Sequence, residues 1–302
     1  MRLAAGAVAR GRPLAREPGW RFDNSAGDPS PLIRFRRDLW QYYRERSIDT
    51  PVTLRWYDGL RVRTFLGNDM SLCLYVGGSF EPNEFVFLDS VLRAGMTFID
   101  GGANDGIYSL FAAKRVGTSG AVIAVEPSSR EYQRLSENVR LNSLPIETVQ
   151  AALGRAPGNA KLAIAEAGHE GQNTIGDAVS NPKVATQEHE DVVVTTIDEL
   201  ASDRRLDVLK LDVEGSEIDA LLGGTETLRR DRPLILLEAE DERLASQGRT
   251  KDDLRAILTE LDYELYVFDA ESGLLRRASP PEEPEGNAVA APAGWKQPST
   301  TR

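Results

Sequence analysis

Cysteine is nearly absent from this 302-residue chain, and long apolar runs are missing. The single cysteine, Cys73, excludes a disulfide framework and a zinc site built from cysteines. No stretch approaches the roughly 18 consecutive apolar residues that a membrane span needs. The first residues also lack the apolar core of a secretory signal, so we expect a cytoplasmic protein with no membrane partner.

Histidine is scarce and basic residues are outnumbered. The chain has two histidines, and its 36 Lys and Arg residues stand against 47 Asp and Glu residues, which gives a formal net charge of −11. Nucleic acids and anionic membranes repel a protein of this charge. We therefore expect a small-molecule partner and no nucleic acid.

The order of the predicted elements indicates an α/β protein. Strand and helix patterns alternate from residue 96 onward, which predicts a Rossmann-like, mostly parallel sheet of seven strands with helices on both faces. An amphipathic helix and a hairpin precede it. The predicted units are a flexible arm (1–30), a cap of helix and hairpin (31–80), the Rossmann-like domain (81–279) with a substrate-pocket insertion (158–196), and a proline-rich disordered tail (280–302).

A glycine-rich turn follows the first parallel strand. The run Asp100-Gly101-Gly102-Ala103-Asn104-Asp105-Gly106 leads into a helix with apolar residues at helical spacing. Glycines let the backbone approach a ligand closely, and the helix N-terminus offers N–H groups. Glu126 ends the next strand, where Rossmann-like folds hold the hydroxyls of a ribose. The pattern predicts a nucleoside-containing cofactor.

The turn also distinguishes between cofactors. Dinucleotide folds use G-x-G-x-x-G, but counted from Gly101 the third position is alanine. Asp100 would repel a pyrophosphate and suits the ammonium group of an amino-acid moiety. S-adenosylmethionine is therefore favoured over a nicotinamide cofactor. A nicotinamide-dependent oxidoreductase and a cofactor-binding module without turnover remain the alternatives.

A second group of charged residues follows the strand at 208–212. Alternation places Lys210 and Asp212 on one face of this strand, and Glu214 begins the next turn. Asp212 and Glu214 would face the same cofactor as Asp100, although acids here also suit the positive end of the following helix. Methyl transfer to a hydroxyl needs a group that removes a proton. The candidates are Asp212, Glu214, Glu238 and His169, with Lys210 to orient the acceptor.

The same acids raise the question of a metal. The prediction is a site without a metal. Its alternative is Mg²⁺, which takes oxygen ligands, held by Asp212, Glu238 and Asp241.

Together these segments resemble the FkbM family of S-adenosylmethionine-dependent methyltransferases. The resemblance spans about 80–240 and rests on Phe80-Glu81-Pro82, the run 98–106, Glu126-Pro127, the run 209–217 and Pro233…Glu238. It implies a class I methyltransferase fold and methyl transfer to a hydroxyl of a sugar, a glycoside or a polyketide-like product of natural product biosynthesis. The family usually has a hydrophobic residue at Gly101 and often at Asp105, so the turn is expected to differ.

The resemblance also implies individual site residues. Asp100, Gly102, Asn104 and Gly106 would line the methionine end of the cofactor, Glu126 would bind the ribose, and Ala151 and Ala152 would border the adenine. The other predicted cofactor residues are Glu81, Gly101, Ala103, Tyr108, Pro127, Ser128 and Asp212. The oligomeric state is left open, with a homodimer among the options.

Overall fold

The structure is a computed structural model that describes residues 31–269, 272–278 and 286–298. The predicted flexible arm (1–30) lies outside the described residues. Its helices are α1 (Pro31–Glu45), α2 (Asp69–Ser71), α3 (Pro82–Val91), α4 (Ile107–Val116), α5 (Ser129–Asn142), α6 (Ile197–Leu200), α7 (Glu217–Leu222), α8 (Thr225–Asp231), α9 (Asp241–Ser246) and α10 (Lys251–Glu260). None of these helices combines the length and apolar character that crossing a membrane requires.

The strands form three sheets. They are β1 (Thr50–Arg55), β2 (Arg61–Leu66), β3 (Thr97–Gly101), β4 (Ala121–Val125), β5 (Ile146–Val149), β6 (Ala152–Leu153), β7 (Gly158–Ala165), β8 (Thr174–Ile175), β9 (Thr186–Thr195), β10 (Val208–Leu211), β11 (Leu234–Ala239), β12 (Tyr263–Phe268), β13 (Leu275–Arg277) and β14 (Gly286–Pro292). The cap contains the predicted helix, α1, and the predicted hairpin of β1 and β2.

The central sheet has the strand order β5-β4-β3-β10-β11-β14-β12-β13. The first five of these strands are parallel, and β14 and β12 run antiparallel to their neighbours. Because parallel strands end at one edge, the segments that follow β3, β4, β10 and β11 meet there. The predicted Rossmann-like α/β fold is confirmed, with eight strands in the described sheet where seven were predicted.

Alternation along the strands separates two cores. Phe98, Val208 and Leu236 pack on one face with α3 and α4, whereas Ile99 and Leu209 pack on the other face with α7 and α10. Side chains two positions apart share a face. Asp100, Lys210, Asp212 and Glu238 therefore lie on the face of Phe98, at the carboxyl edge of the sheet, as the alternation predicted for Lys210 and Asp212.

The insertion forms a small sheet of its own. Its strand order is β6-β9-β7-β8, with β7 and β9 paired antiparallel along most of their length. The loop between β7 and β8 contains a 3-10 turn, Glu170–Gln172. A Cβ added at Gly171 would lie 3.2 Å from Asn104 Nδ2, so this loop approaches the glycine-rich turn.

The prediction of a disordered tail over 280–302 is wrong for residues 286–292. These residues form β14, which lies between β11 and β12 in the middle of the sheet. Ala288 and Ala290 are fully buried, since small side chains fit where helices cover both faces. The abundant prolines gave the false signal. The rest of that tail is described only over 293–298, and 280–285 and 299–302 lie outside the described residues.

Replacement of a buried side chain in β14 tests its place in the core. Val289 is fully buried, so Val289→Ala should lower the free energy of unfolding by about 2 kcal/mol, through lost burial and the cavity that remains. Val193 is 57% exposed, and Val193→Ala should leave it nearly unchanged. Urea unfolding followed by circular dichroism measures both. Equal midpoints for the two variants would contradict the placement of β14.

Candidate functional site

The glycine-rich turn is closed by contacts that only glycine permits. Gly102 has φ +73°, and a Cβ there would lie 1.8 Å from Asp212 O. Gly106 has φ +84°, and its Cβ would lie 2.5 Å from Leu135 Cδ1. At Gly101 a Cβ would lie 2.5 Å from Leu153 Cδ1, so the hydrophobic residue that the FkbM resemblance led us to expect there does not fit this turn without rearrangement.

Glu126 fixes the turn to the end of β4. Its carboxylate accepts hydrogen bonds from the backbone N–H groups of Asn104 (2.9 Å) and Ser128 (3.1 Å). Burial, with a smaller contribution from Glu131, raises the pKa of Glu126 to about 8, although these backbone donors act to lower it. The Ser128 hydroxyl donates to Glu131, so it holds the start of α5 and is not directed at a ligand.

A cavity of about 60 Å³ lies between the turn and the small sheet. Predicted site residues form much of its wall, namely Gly102, Asn104, Glu126, Pro127, Ala151, Ala152, Asp212 and Glu214. The insertion contributes Leu162, Glu170, Gly171, Asn173 and Ile175. The structure therefore brings the glycine-rich turn, the end of β4 and the end of β10 together around one space.

Seven predicted cofactor residues do not line this cavity. They are Glu81, Asp100, Gly101, Ala103, Gly106, Tyr108 and Ser128. Asp100 is fully buried, and its Oδ2 accepts a hydrogen bond of 2.6 Å from Ser109. Its Oδ1 lies 3.8 Å from Lys210 Nζ, so Lys210 takes the place of the ammonium group that was expected to meet this acid.

Lys210 is the centre of a buried charged group. Its side chain is 4% exposed, and Nζ lies 3.1 Å from Asp212 Oδ2 and 4.7 Å from the centre of the Tyr108 ring. Burial would lower the pKa of Lys210, but Asp212 and Asp100 raise it above its ordinary value. Burial raises the pKa of Asp100 despite this pairing. Lys210 therefore stays charged, as a fixed partner of two carboxylates.

Glu81 approaches the same group from the cap side. It precedes α3 in a left-handed conformation, with φ +37°, and accepts hydrogen bonds from the Tyr108 hydroxyl and from Asn287 Nδ2 (2.9 Å). Burial and then Asp212 raise the pKa of Glu81, while Tyr108, Lys210 and Asn287 lower it. Two predicted residues, Glu81 and Tyr108, are thus bonded to each other behind the cavity wall.

A second cation, Arg243, lies among the remaining acids. Carboxylate oxygens of Asp212, Glu214 and Glu238 lie within 4.8 Å of one another, a spacing that a metal ion would accept. Arg243 Nη1 lies 2.5 Å from Glu214 Oε1 and 2.6 Å from Glu238 Oε2. The guanidinium supplies positive charge to these acids.

Asp241 does not belong to this group. Its carboxylate bonds Lys251 Nζ at 2.9 Å, and its side chain is 67% exposed. Asp241 was the third ligand in the Mg²⁺ alternative, and Glu214 occupies that position instead. That ligand set was wrong because Asp241 starts α9 and points away from the edge where Glu238 ends β11.

The pKa values of the acids around Arg243 are shifted in different directions. Burial raises the pKa of Glu214 well above its usual range, and burial followed by Asp212 does the same for Glu238. For Asp212 burial acts in the same direction, but Lys210 and a hydrogen bond with Glu238 lower its pKa below the usual range. Asp212 is ionised, while Glu214 and Glu238 retain protons more readily.

His169 lies away from the cavity wall. Arg44 Nη2 can only donate, so His169 Nε2 accepts that hydrogen bond (2.7 Å), and His169 Nδ1 lies 3.0 Å from Asp69 Oδ2. Both ring nitrogens are therefore engaged in a contact between the insertion and the cap. The prediction of His169 as a base in the pocket does not match this position.

Two site residues were missed from the sequence. Arg243 follows the acidic run 238–242, and a cation placed after several acids at the end of a strand is a signal that was available. Asn287 begins the apolar run 288–291, which the surrounding prolines concealed.

No curated protein matches this chain. Among solved structures, the FkbM methyltransferase of Methylobacillus flagellatus KT is 18% identical with a TM-score of 0.41, over 74% of this chain and 55% of that one. The S-adenosylmethionine-dependent O-methyltransferase of Thermotoga maritima is 14% identical with a TM-score of 0.42, over 81% of this chain and 78% of that one. An rRNA methylase of Streptococcus thermophilus is 11% identical with a TM-score of 0.38, over 69% of this chain and 93% of that one.

The alignment with the Methylobacillus protein spans just over half of that protein's length. Likeness at this level does not identify a substrate. The family comparison is more specific, because the model of the FkbM methyltransferase domain matches residues 100–265. This match includes the glycine-rich turn, Glu126, Lys210, Asp212 and Arg243, and it covers more than half of the chain. The chain belongs to the FkbM methyltransferase family.

Proposed function

We propose that this chain transfers a methyl group from S-adenosylmethionine to a hydroxyl of a small molecule, such as a sugar or a secondary metabolite. The supporting observation is an excess of carboxyl groups beside the cavity. Two cations, Lys210 and Arg243, face five acids: Glu81, Asp100, Asp212, Glu214 and Glu238. Such a site attracts a ligand with net positive charge, and this cofactor carries a sulfonium and an ammonium group.

The cavity wall gives the cofactor an orientation. Glu126, at one end, would accept hydrogen bonds from the ribose hydroxyls. Pro127, Ala151 and Ala152 offer apolar surface to the adenine next to it. The methionine end would then lie toward Gly102, Asn104 and Asp212, where the acids are concentrated.

A nicotinamide dinucleotide fits the same geometry poorly. Its pyrophosphate is anionic, and the carboxylates beside the turn would repel it. The N–H groups that would otherwise hold a phosphate are already used, because those of Gly102 and Ala103 both donate to Val125 O at 3.0 Å. These contacts disfavour the oxidoreductase alternative.

The acids near Arg243 are placed to take the proton of the acceptor. S-adenosylmethionine supplies a methyl group that is already activated, so the chain mainly aligns the acceptor with it. Glu214 lines the cavity, and its raised pKa brings it nearer to that of an effective base at neutral pH. Arg243 holds Glu214 and Glu238 in fixed positions, while the ionised Asp212 keeps the region negative.

The insertion borders the cavity. Glu170, Gly171 and Asn173 line it from the loop between β7 and β8. We infer that the insertion borders the acceptor. A net charge of −11 favours a small acceptor over a nucleic acid.

Calorimetric titration with S-adenosylhomocysteine, the demethylated product, tests the proposal. Glu126→Ala should weaken binding by about 1–3 kcal/mol, because ribose hydroxyls and pocket donors lose their acceptor. Glu147→Ala serves as the control, since the Glu147 side chain is 54% exposed and pairs with Arg204 on the surface. Absence of binding to the unaltered protein would contradict the proposed function.

The pH dependence of stability tests the protonation of Glu126. Its pKa is about 8 in the folded protein and near 4.5 in the unfolded chain, so between these values the folded state binds more proton. The free energy of unfolding therefore falls as pH rises through this window. Glutamine does not titrate, so the free energy of unfolding of Glu126→Gln does not decrease for this reason. The stability of this variant relative to the unaltered protein should therefore increase from pH 5 to pH 8. Urea unfolding at several pH values measures the difference, and a constant difference would refute the assignment.

A further inference from the structure

We propose that Asn287, on β14, is a positioning residue of the cofactor site, because its amide holds the carboxylate of Glu81 toward Lys210 and Asp212. The inference rests on the proposed function, in which the acids at this edge attract the cationic end of the cofactor. It assigns a site role to a strand outside the matched family domain, which ends at residue 265.

The position of Asn287 follows from the direction of β14. This strand runs antiparallel to β11, so its first residues lie at the edge where the parallel strands end. Asn287 pairs in register with Glu238, and two positions later Val289 packs in the same core as Phe98 and Leu236. Asn287 is therefore on the same face of the sheet as Asp100, Lys210 and Asp212.

The Asn287 amide makes two hydrogen bonds to acids at the start of α3. Nδ2 donates to Glu81 Oε1 at 2.9 Å and to Glu84 Oε1 at 3.2 Å. The other oxygen of Glu81 accepts from the Tyr108 hydroxyl, whose ring stacks on Phe85 with centroids 4.6 Å apart. Donors on both oxygens fix the orientation of the Glu81 carboxylate and favour its ionised form.

The backbone of Glu81 is strained, which indicates that its side chain is held in place for a purpose. Its φ of +37° and ψ of +61° are left-handed values. Residues other than glycine rarely adopt them, and the residue before a proline, here Pro82, is normally extended. Such a conformation persists where surrounding contacts determine it, and Asn287 and Tyr108 supply those contacts.

Asn287 therefore influences the charge of Glu81 as well as its orientation. Lys210 Nζ lies 4.7 Å from the centre of the Tyr108 ring, whose hydroxyl donates to Glu81, and 3.1 Å from Asp212 Oδ2. Asp212 raises the pKa of Glu81 and Lys210 lowers it. Loss of the Asn287 donor removes one of the three interactions that oppose the effects of burial and Asp212, and only Tyr108 and Lys210 remain to lower the pKa of Glu81. Glu81 then takes up a proton at higher pH, and the site loses one negative charge.

Three variants test the proposal by titration with S-adenosylhomocysteine between pH 5.5 and pH 8.5. Asn287→Ala should raise the Kd at least tenfold at pH 6, with recovery toward the unaltered protein as the pH rises and Glu81 ionises. Asn287→Gln keeps an amide donor and should restore much of the affinity and the original pH profile. Asn142→Ala is the control, because Asn142 bonds the backbone of Arg61 and neither residue lines the cavity.

The outcomes separate the two claims. If the unaltered protein does not bind S-adenosylhomocysteine, the proposed function fails. If it binds, and folded Asn287→Ala binds equally well at every pH or weakens by the same factor throughout, the positioning role is wrong and the function stands. If Asn287→Ala does not fold, Asn287→Leu decides, because leucine fills a similar space without a donor: a loss of affinity that is largest at low pH supports the role, and a uniform loss or none contradicts it.

Discussion

The burial of the Lys210 ammonium is the constraint on which the rest of the site depends. Its side chain is 4% exposed, and Nζ lies 3.1 Å from Asp212 and 3.8 Å from Asp100. An unpaired charge in such a position would cost several kcal/mol, so its carboxylate partners have to stay close. The sheet ensures this, because Lys210 and Asp100 are register partners on adjacent parallel strands.

This pairing determines which acids remain for a ligand. Asp100 is occupied behind the cavity wall, so the negative charge that a ligand meets comes from Asp212, Glu214 and the acids around them. Arg243 neutralises part of that charge from α9, and the Glu81 carboxylate adds to it from the cap side. The net charge of these acids and cations remains negative, which is why we propose a cationic cofactor. The two cations hold the acids in place, and the acids that remain attract the ligand.

Local patterns were sufficient for most of the fold and for half of the site. Alternation placed Lys210 and Asp212 on one strand face, and the glycine-rich turn located the cavity, because both signals act within a few residues. Contacts between distant segments left no such signal. His169 is bonded to Arg44, which lies 125 positions away, and therefore faces the cap rather than the cavity. The strand that contains Asn287 was hidden for a different reason: its prolines suggested disorder, although the strand has neighbours on both sides that bury its small side chains.

We propose that an excess of buried carboxyl groups selects a positively charged cofactor. This proposal is tested most directly by counting the protons that leave the protein when S-adenosylmethionine binds, with calorimetry at pH 7 in two buffers of different ionisation heat. A net release of protons is expected, because an arriving cation lowers the raised pKa values of Glu214 and Glu238. Binding without proton release, or with proton uptake, would contradict it.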